Sequence, residues 1–185
     1  MEAVPKDKPK RKPTRIPGYN YSSNGAYFIT ICAENHRYVF GNFEKKLISN
    51  NNSADITGIV GDGVYDIPSM KLSHIGNVVD KYIIFMNEKY DFISVDNYVI
   101  MPNHIHLLIS VTSEKRLSQA PTPTNNVIPK FVSLFKRYCN QEIGHNVFQR
   151  SYYDHVIRNE KDYLIHFEYI ETNPIKWETD DYFIK

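Results

Sequence analysis

The sequence predicts a single α+β domain, an antiparallel sheet with amphipathic helices packed on it. Three observations carry that reading. Apolar segments of strand length alternate along the chain with segments whose apolar residues recur every three or four positions. Two strand-like segments, 92–100 and 104–111, are separated only by Met101-Pro102-Asn103, which suggests a tight antiparallel reversal or a bulge. At 185 residues, with 42% hydrophobic and 23% charged residues, the chain can bury a sizeable core and is too apolar to be disordered.

The elements follow in order. Residues 1–24 read as a basic arm, with Lys6, Lys8, Lys10, Arg11, Lys12 and Arg15; a solvated tail and a phosphate-contacting arm fit that composition equally. Residues 25–185 read as one domain. Tyr27-Phe28-Ile29-Thr30-Ile31-Cys32 is β-rich and mostly apolar, a buried strand. Gly41 and Asn42 mark a turn into an irregular insert at about 42–71, where Asn50-Asn51-Asn52-Ser53 and Gly61-Asp62-Gly63 bound a short hairpin or a loop. Over 73–90, Ile75, Val78, Val79, Tyr82, Ile83 and Met86 recur at helical steps. The strand pair at 92–111 comes next, then a loop over 112–126 containing Pro121 and Pro123. A second helix over 128–143 sets Phe131, Leu134, Phe135 and Tyr138 on one side and Lys130, Lys136 and Arg137 on the other, and Gly144 ends it. A short strand falls within 147–156. A third helix over 160–172 closes at Asn173-Pro174, because proline disfavours helical geometry at the residue before it.

Composition excludes more than it identifies. A net charge of +1 creates no global field for a polyanion. Cys32 and Cys139 are far apart and follow no secretory signal, so both read as reduced thiols in a cytoplasmic protein. No apolar run approaches the length that spans a bilayer. With fourteen tyrosines, abundance alone singles out no nucleophile.

The His104-Ile105-His106 triplet is the most informative motif. On a strand, side chains alternate faces, so the two imidazoles point one way and Ile105 points into a core. Neighbouring imidazoles can share a divalent cation through neutral ring nitrogens. Taken alone, such a triplet in an apolar strand is more often structural than ligating. In the third helix Tyr169 and Asn173 are four residues apart and share a face. Each has an ordinary reading, Tyr169 as a packed tyrosine and Asn173 as a helix stop. Together with the histidines they form a constellation suited to phosphodiester transfer: a metal polarises a phosphoryl oxygen and a phenol attacks phosphorus. A free phenol is only about 0.1% ionised at neutral pH, so metal or a base must assist. Esterification to tyrosine conserves the bond energy, and no phosphate-binding Gly-x-x-x-x-Gly-Lys loop occurs.

Tyr152, Tyr153 and Tyr163 are rivals to Tyr169. The adjacent pair diverges on a strand. Tyr163 precedes Tyr169 by six residues, roughly 600° of helix rotation, and faces away from it. Arg150, Tyr152, Tyr153, Asp154, His155 and Arg158 form a polar-aromatic cluster that reads either as a nucleic-acid surface or as an ion-paired loop.

Three ordered blocks carry a family resemblance: Met101-Pro102-Asn103-His104-Ile105-His106-Leu107-Leu108, then Phe148-Gln149-Arg150-Ser151-Tyr152-Tyr153-Asp154-His155-Val156-Ile157-Arg158, then Tyr169-Ile170-Glu171-Thr172-Asn173-Pro174. With Arg15-Ile16-Pro17-Gly18-Tyr19-Asn20-Tyr21 and Gly25-Ala26-Tyr27-Phe28-Ile29-Thr30, they cover nearly the whole chain. The sequence resembles the REP-associated tyrosine transposases, single-tyrosine, His-hydrophobic-His transposases of small insertion sequences.

The resemblance implies a ferredoxin-like antiparallel sheet with the histidine pair on a central strand. It implies Mg²⁺ or Mn²⁺ on His104 and His106, with Asn173 as the third, amide-type ligand. It implies Tyr169 as the nucleophile that forms a 5′-phosphotyrosine link, cleaving and rejoining single-stranded DNA beside a hairpin formed by a palindromic repeat. Arg11, Lys12, Arg15, Lys136, Arg137, Arg150, Tyr152 and Arg158 are the expected DNA contacts. A homodimer fits the resemblance, although no feature of the sequence demands one. Family members often continue Asn-Pro-x-Lys-x-Gly, whereas this chain reads Asn173-Pro174-Ile175-Lys176-Trp177-Glu178.

Two other enzyme classes fit less well. A His-triad nucleotide hydrolase wants a histidine where Leu108 stands, and a two-histidine phosphoesterase needs a second His-x-Ser/Thr repeat. The remaining alternative is a non-catalytic nucleic-acid-binding relative of the transposases.

Overall fold

Alternation along the first strand, β1 (Gly25–Cys32), decides how the sheet faces. Tyr27, Ile29 and Ile31 are fully buried in the main core, and Phe28, Thr30 and Cys32 point to the opposite side. The computed structural model describes residues 24–46, 67–112 and 127–184. Strand β5 (His104–Val111) pairs antiparallel with β1, setting Thr30 opposite His106 and Cys32 opposite His104. Strand β4 (Ile93–Ile100) borders β5, and β6 (Tyr153–Ile157) borders the far edge of β1. The order β4-β5-β1-β6 makes β5 an interior strand, as expected for the histidine pair.

Helix α1 (His74–Lys89) joins β1 to β4, and α2 (Val127–Ile143) joins β5 to β6. With the strand order above, this is the ferredoxin-like β-α-β-β-α-β arrangement. Ser73 starts α1 by accepting a hydrogen bond from Gly76 N at 3.0 Å and anchors it by donating to Val39 O at 2.6 Å. Both helices cover the Tyr27 face, sending Val79, Ile83 and Met86 from α1 and Ile128, Phe131 and Phe135 from α2 into the core. Between them Lys81 and Tyr82 meet Glu142 at 2.7 and 2.8 Å, and the Tyr82 and Tyr138 rings stack. No helix among the described residues is long and apolar enough to cross a membrane.

The turn expected at Gly41 is instead the start of a strand. β2 (Gly41–Lys46) pairs with β3 (Ile67–Leu72) as a separate two-stranded ladder, giving regular structure to both ends of the insert. Glycine is required at 41 by close approach, since a Cβ there would lie 2.3 Å from Lys71 O. The basic arm, the Asn- and Gly-rich runs of the insert and the loop at 113–126 lie outside the described residues.

Helix α3 (Glu160–Thr172) lies across the other sheet face, tied down by Asn97–Glu171 and Tyr163–Asp96 hydrogen bonds of 2.8 and 3.1 Å. It ends where expected, for a different reason. Asn173 keeps helical angles (φ −57°, ψ −43°) and donates its N–H to Tyr169 O. Pro174, which has no N–H to continue the ladder, stops the helix. The chain then tightens through a 3₁₀ turn at Trp177–Thr179, whose Trp177 is buried against Tyr38 and Phe183.

Candidate active site

Between the sheet and α3 the histidines meet. His104 and His106 are 0% and 1% exposed, with ring centroids 4.5 Å apart, while Ile105 enters the opposite core. Each imidazole is held by its Nδ1. Asn103 Oδ1 lies 2.9 Å from His104 Nδ1, and Thr30 Oγ1 lies 2.9 Å from His106 Nδ1. The amide of Asn103 is oriented by its other end, where Nδ2 donates to the carbonyls of His36 and Tyr182. Its Oδ1 is therefore the acceptor, so His104 carries its proton on Nδ1 and keeps a lone pair on Nε2.

Both Nε2 atoms are buried without a hydrogen-bond partner among the described residues, and so is Asn173 Oδ1. Buried polar atoms normally find partners, and a neutral imidazole held at Nδ1 with a bare Nε2 is the arrangement of a metal-ligating histidine. Burial, then the charge of His36, pushes the His104 pKa down to about 3. Burial, then His104, lowers His106 well below the ordinary value. Both are thus neutral near pH 7, and the donor set fits a divalent cation.

Helix α3 delivers Tyr169 and Asn173 to this place from consecutive turns. The Tyr169 ring sits 5.2 Å from that of His106, and Phe28 packs against both, at 5.0 Å from His106 and 5.8 Å from Tyr169. The phenol is 38% exposed. Asp180, delivered by the turn after Trp177, accepts from Tyr169 Oη at 3.3 Å and from Asn173 Nδ2 at 3.0 Å on one oxygen. Burial first, then the charge of Asp180, raises the Tyr169 pKa to about 12. A ligand atom of Asp180 also lies within 4.8 Å of those of His104 and His106. Tyr182 closes the site from the tail, its ring 4.5 Å from His104.

The rival tyrosines stand elsewhere. Tyr152 is buried in the main core, Tyr153 is half-exposed on β6, and Tyr163 donates to Asp96. Of the expected DNA contacts, Tyr152 is therefore turned inward. Lys136 directs its amine at the protein, donating to the carbonyls of Gln149 and Ser151 at 2.7 and 2.8 Å, and burial lowers its pKa to about 8. Arg137, Arg150 and Arg158 are exposed. Arg11, Lys12 and Arg15 lie outside the described residues. Within the polar-aromatic cluster and the helix that follows it, Asp162 lies 3.0 Å from His155 Nε2 and 3.2 Å from His166 Nδ1, linking β6 to the first turn of α3. Those three residues form a second group with metal-ligand spacing, more exposed than the first.

No protein-family model matches the chain. A Haemophilus influenzae protein of uncharacterised function is 32% identical over 191 residues, covering 94% of this chain and 93% of that protein. A second H. influenzae protein, provisionally named a REP-associated tyrosine transposase, is 31% identical over 94 residues, 48% of this chain and 53% of that protein. Among solved structures, that of a REP-associated tyrosine transposase bound to a REP hairpin superposes on 88% of this chain and 74% of that one, with a TM-score of 0.54 and 19% identity. The chain is similar to REP-associated tyrosine transposases in sequence over about half its length, and in fold.

The REP-associated tyrosine transposase motifs do not announce every residue here. Thr30 and Phe28 have a signal in hindsight: they alternate with the apolar residues of β1 and so face the histidines. Asp180 has none. It is one acid among Glu178, Asp180 and Asp181, and only the turn at Trp177–Thr179 brings it under α3.

Proposed function

We propose that this chain is a metal-dependent single-strand DNA transesterase that cleaves and rejoins DNA beside hairpins. The observation that carries the reading is the pair of buried, bare Nε2 atoms on His104 and His106, each imidazole oriented through Nδ1, next to the phenol of Tyr169. His104, His106 and the amide oxygen of Asn173 would hold Mg²⁺ or Mn²⁺. A bound cation would polarise a phosphoryl oxygen and favour the phenolate. Tyr169 Oη would attack phosphorus, forming a Tyr–O–P bond and breaking the P–O3′ bond. The phenol proton leaves, and the departing oxygen takes up a proton as a free 3′-hydroxyl. The link is then a 5′-phosphotyrosine, and attack by a 3′-hydroxyl reverses the step and rejoins the strand.

Phe28 fixes the mutual setting of His106 and Tyr169, and α3 holds the phenol on a rigid element. The exposed arginines 137, 150 and 158, with the N-terminal Arg11, Lys12 and Arg15, would contact phosphates. The fold likeness to a hairpin-bound transposase supports hairpin DNA as the substrate. The same reading places the protein in the cytoplasm, where its two buried free thiols stay reduced.

One observation favours the non-catalytic alternative. Tyr169 donates to a carboxylate and its pKa is raised to about 12, so the neutral phenol is a poor nucleophile. A nicking assay on single strands containing a hairpin, with Mn²⁺ or with chelator, separates the two readings. Metal-dependent cleavage is expected; binding without cleavage under every metal condition would leave only the binding module.

A further inference from the structure

The histidine pair leaves an electrostatic question open. A dication on two neutral imidazoles and one amide oxygen would sit in a buried site with no compensating charge, and burying an unpaired charge is costly. Among the described residues one carboxylate reaches this place, that of Asp180, with its ligand atom within 4.8 Å of those of both histidines.

We propose that Asp180 is a ligand of the same cation as His104 and His106, completing a two-histidine, one-carboxylate set. The proposal rests on the metal-site reading above and adds to it the residue that supplies the charge. The Nε2 atoms of His104 and His106, on fully buried side chains and without a hydrogen-bond partner among the described residues, are free to accept a cation, and a ligand atom of each residue lies within 4.8 Å of one of Asp180. The carboxylate also has capacity left. Its two oxygens accept from Tyr169 Oη, Asn173 Nδ2 and Tyr182 N, three of the roughly four lone-pair directions that a carboxylate offers.

The position of Asp180 is built rather than incidental. Trp177 is buried among Tyr38, Phe43 and Phe183, and Asp180 N donates back to Trp177 O at 3.1 Å. Beyond Asp180, Tyr38 Oη donates to Ile184 O and accepts from Ile184 N. Anchors on either side thus hold Asp180 beneath α3. Two imidazoles and a carboxylate suit a first-row dication such as Mn²⁺ better than Mg²⁺, which prefers an all-oxygen shell. Cation binding would also fasten the tail to the sheet, because one ligand belongs to the tail and two belong to β5.

The test measures Mn²⁺ affinity by EPR of the free ion and by calorimetry, using the full chain. Asp180→Asn keeps the size and an acceptor oxygen for Tyr169 and Asn173, and its metal-free melting temperature checks the fold. Affinity should fall about tenfold or more in Asp180→Asn, and comparably in His104→Ala. A positioning role alone is excluded with Asn173→Ala: if Asp180 merely orients Asn173, adding Asp180→Asn to that variant changes nothing, whereas a ligand costs a further loss. Unchanged affinity in Asp180→Asn, with loss in His104→Ala, would overturn the proposal and leave the histidine site standing. Unchanged affinity in His104→Ala as well would overturn both.

Discussion

Asn103 Oδ1 lies 2.9 Å from Nδ1 of His104, so the residue before the first histidine sets that histidine's tautomer. The amide is itself fixed by donating to His36 O and Tyr182 O, and it is fully buried. Asn103→Ala removes the acceptor and lets the proton move to Nε2, where it would block a cation. Loss of such an orienting partner typically weakens metal binding about 10- to 100-fold. Calorimetric titration with Mn²⁺ checks this, and affinity equal to that of the parent chain would refute the assigned tautomer.

A second expectation concerns pH. His104 is held at a pKa of about 3 and His106 is lowered in the same direction, both chiefly by burial. The folded state therefore binds fewer protons than the unfolded chain, whose histidines titrate near pH 6.5. Stability is intact above about pH 6.5 and declines as the pH falls below it, with His104 resisting protonation in the folded state down to about pH 3. The slope should be on the order of 1 kcal/mol per pH unit for each histidine. Urea midpoints between pH 7.5 and 5 in chelator should fall more steeply for the parent chain than for His104→Gln/His106→Gln. Parallel curves would contradict the account.

Helix α1 offers a packing test. A Cβ on Gly76 would lie 2.0 Å from Phe40 O, a rigid backbone atom. Alanine gains about 1 kcal/mol of helix propensity over glycine. The overlap can be relieved only by moving α1 off the 39–40 segment, which Ser73 also grips through Val39 O. Overpacking of this kind costs about 1–3 kcal/mol, so Gly76→Ala should lower the melting temperature. An unchanged or higher value would show that α1 seats less tightly than described.

Much of this fold was legible because local pattern and tertiary packing agree. The 3.6-residue period of α1 and its Ser73 cap, the strands flanking Met101-Pro102-Asn103, and the Gly144 stop all match the observed elements. The convergence of His104 and His106 follows from period two alone. Three features escaped for physical reasons. The β2–β3 ladder depends on a pairing partner some 25 residues away, and glycine at 41 signals close approach as readily as a turn. Tyr152 resembles a stacking residue in composition, yet it is buried in the main core. Asp180 reaches the site only because buried Trp177 turns the tail back, a tertiary contact with no local signature.

DNA affinity should fall steeply with salt, since each phosphate neutralised on a single strand contributes about 0.7 to the logarithmic slope. Arg150 and Arg158 are exposed, and replacing both with alanine should reduce that slope by about 1.4. Fluorescence anisotropy with a labelled hairpin oligonucleotide across 50–300 mM salt, a range of about sixfold, provides the measurement. A flat dependence would remove the phosphate-dominated picture of binding.

The central claim is that Tyr169 attacks DNA at the site of His104 and His106. Its most direct test traps the covalent adduct on a single-stranded hairpin substrate in Mn²⁺ and maps the modified peptide by mass spectrometry. The account predicts phosphate on Tyr169, and in Tyr169→Phe no adduct with binding retained. Phosphate on Tyr152, Tyr153, Tyr163 or Tyr182 would contradict it, as would an adduct that forms undiminished in Tyr169→Phe.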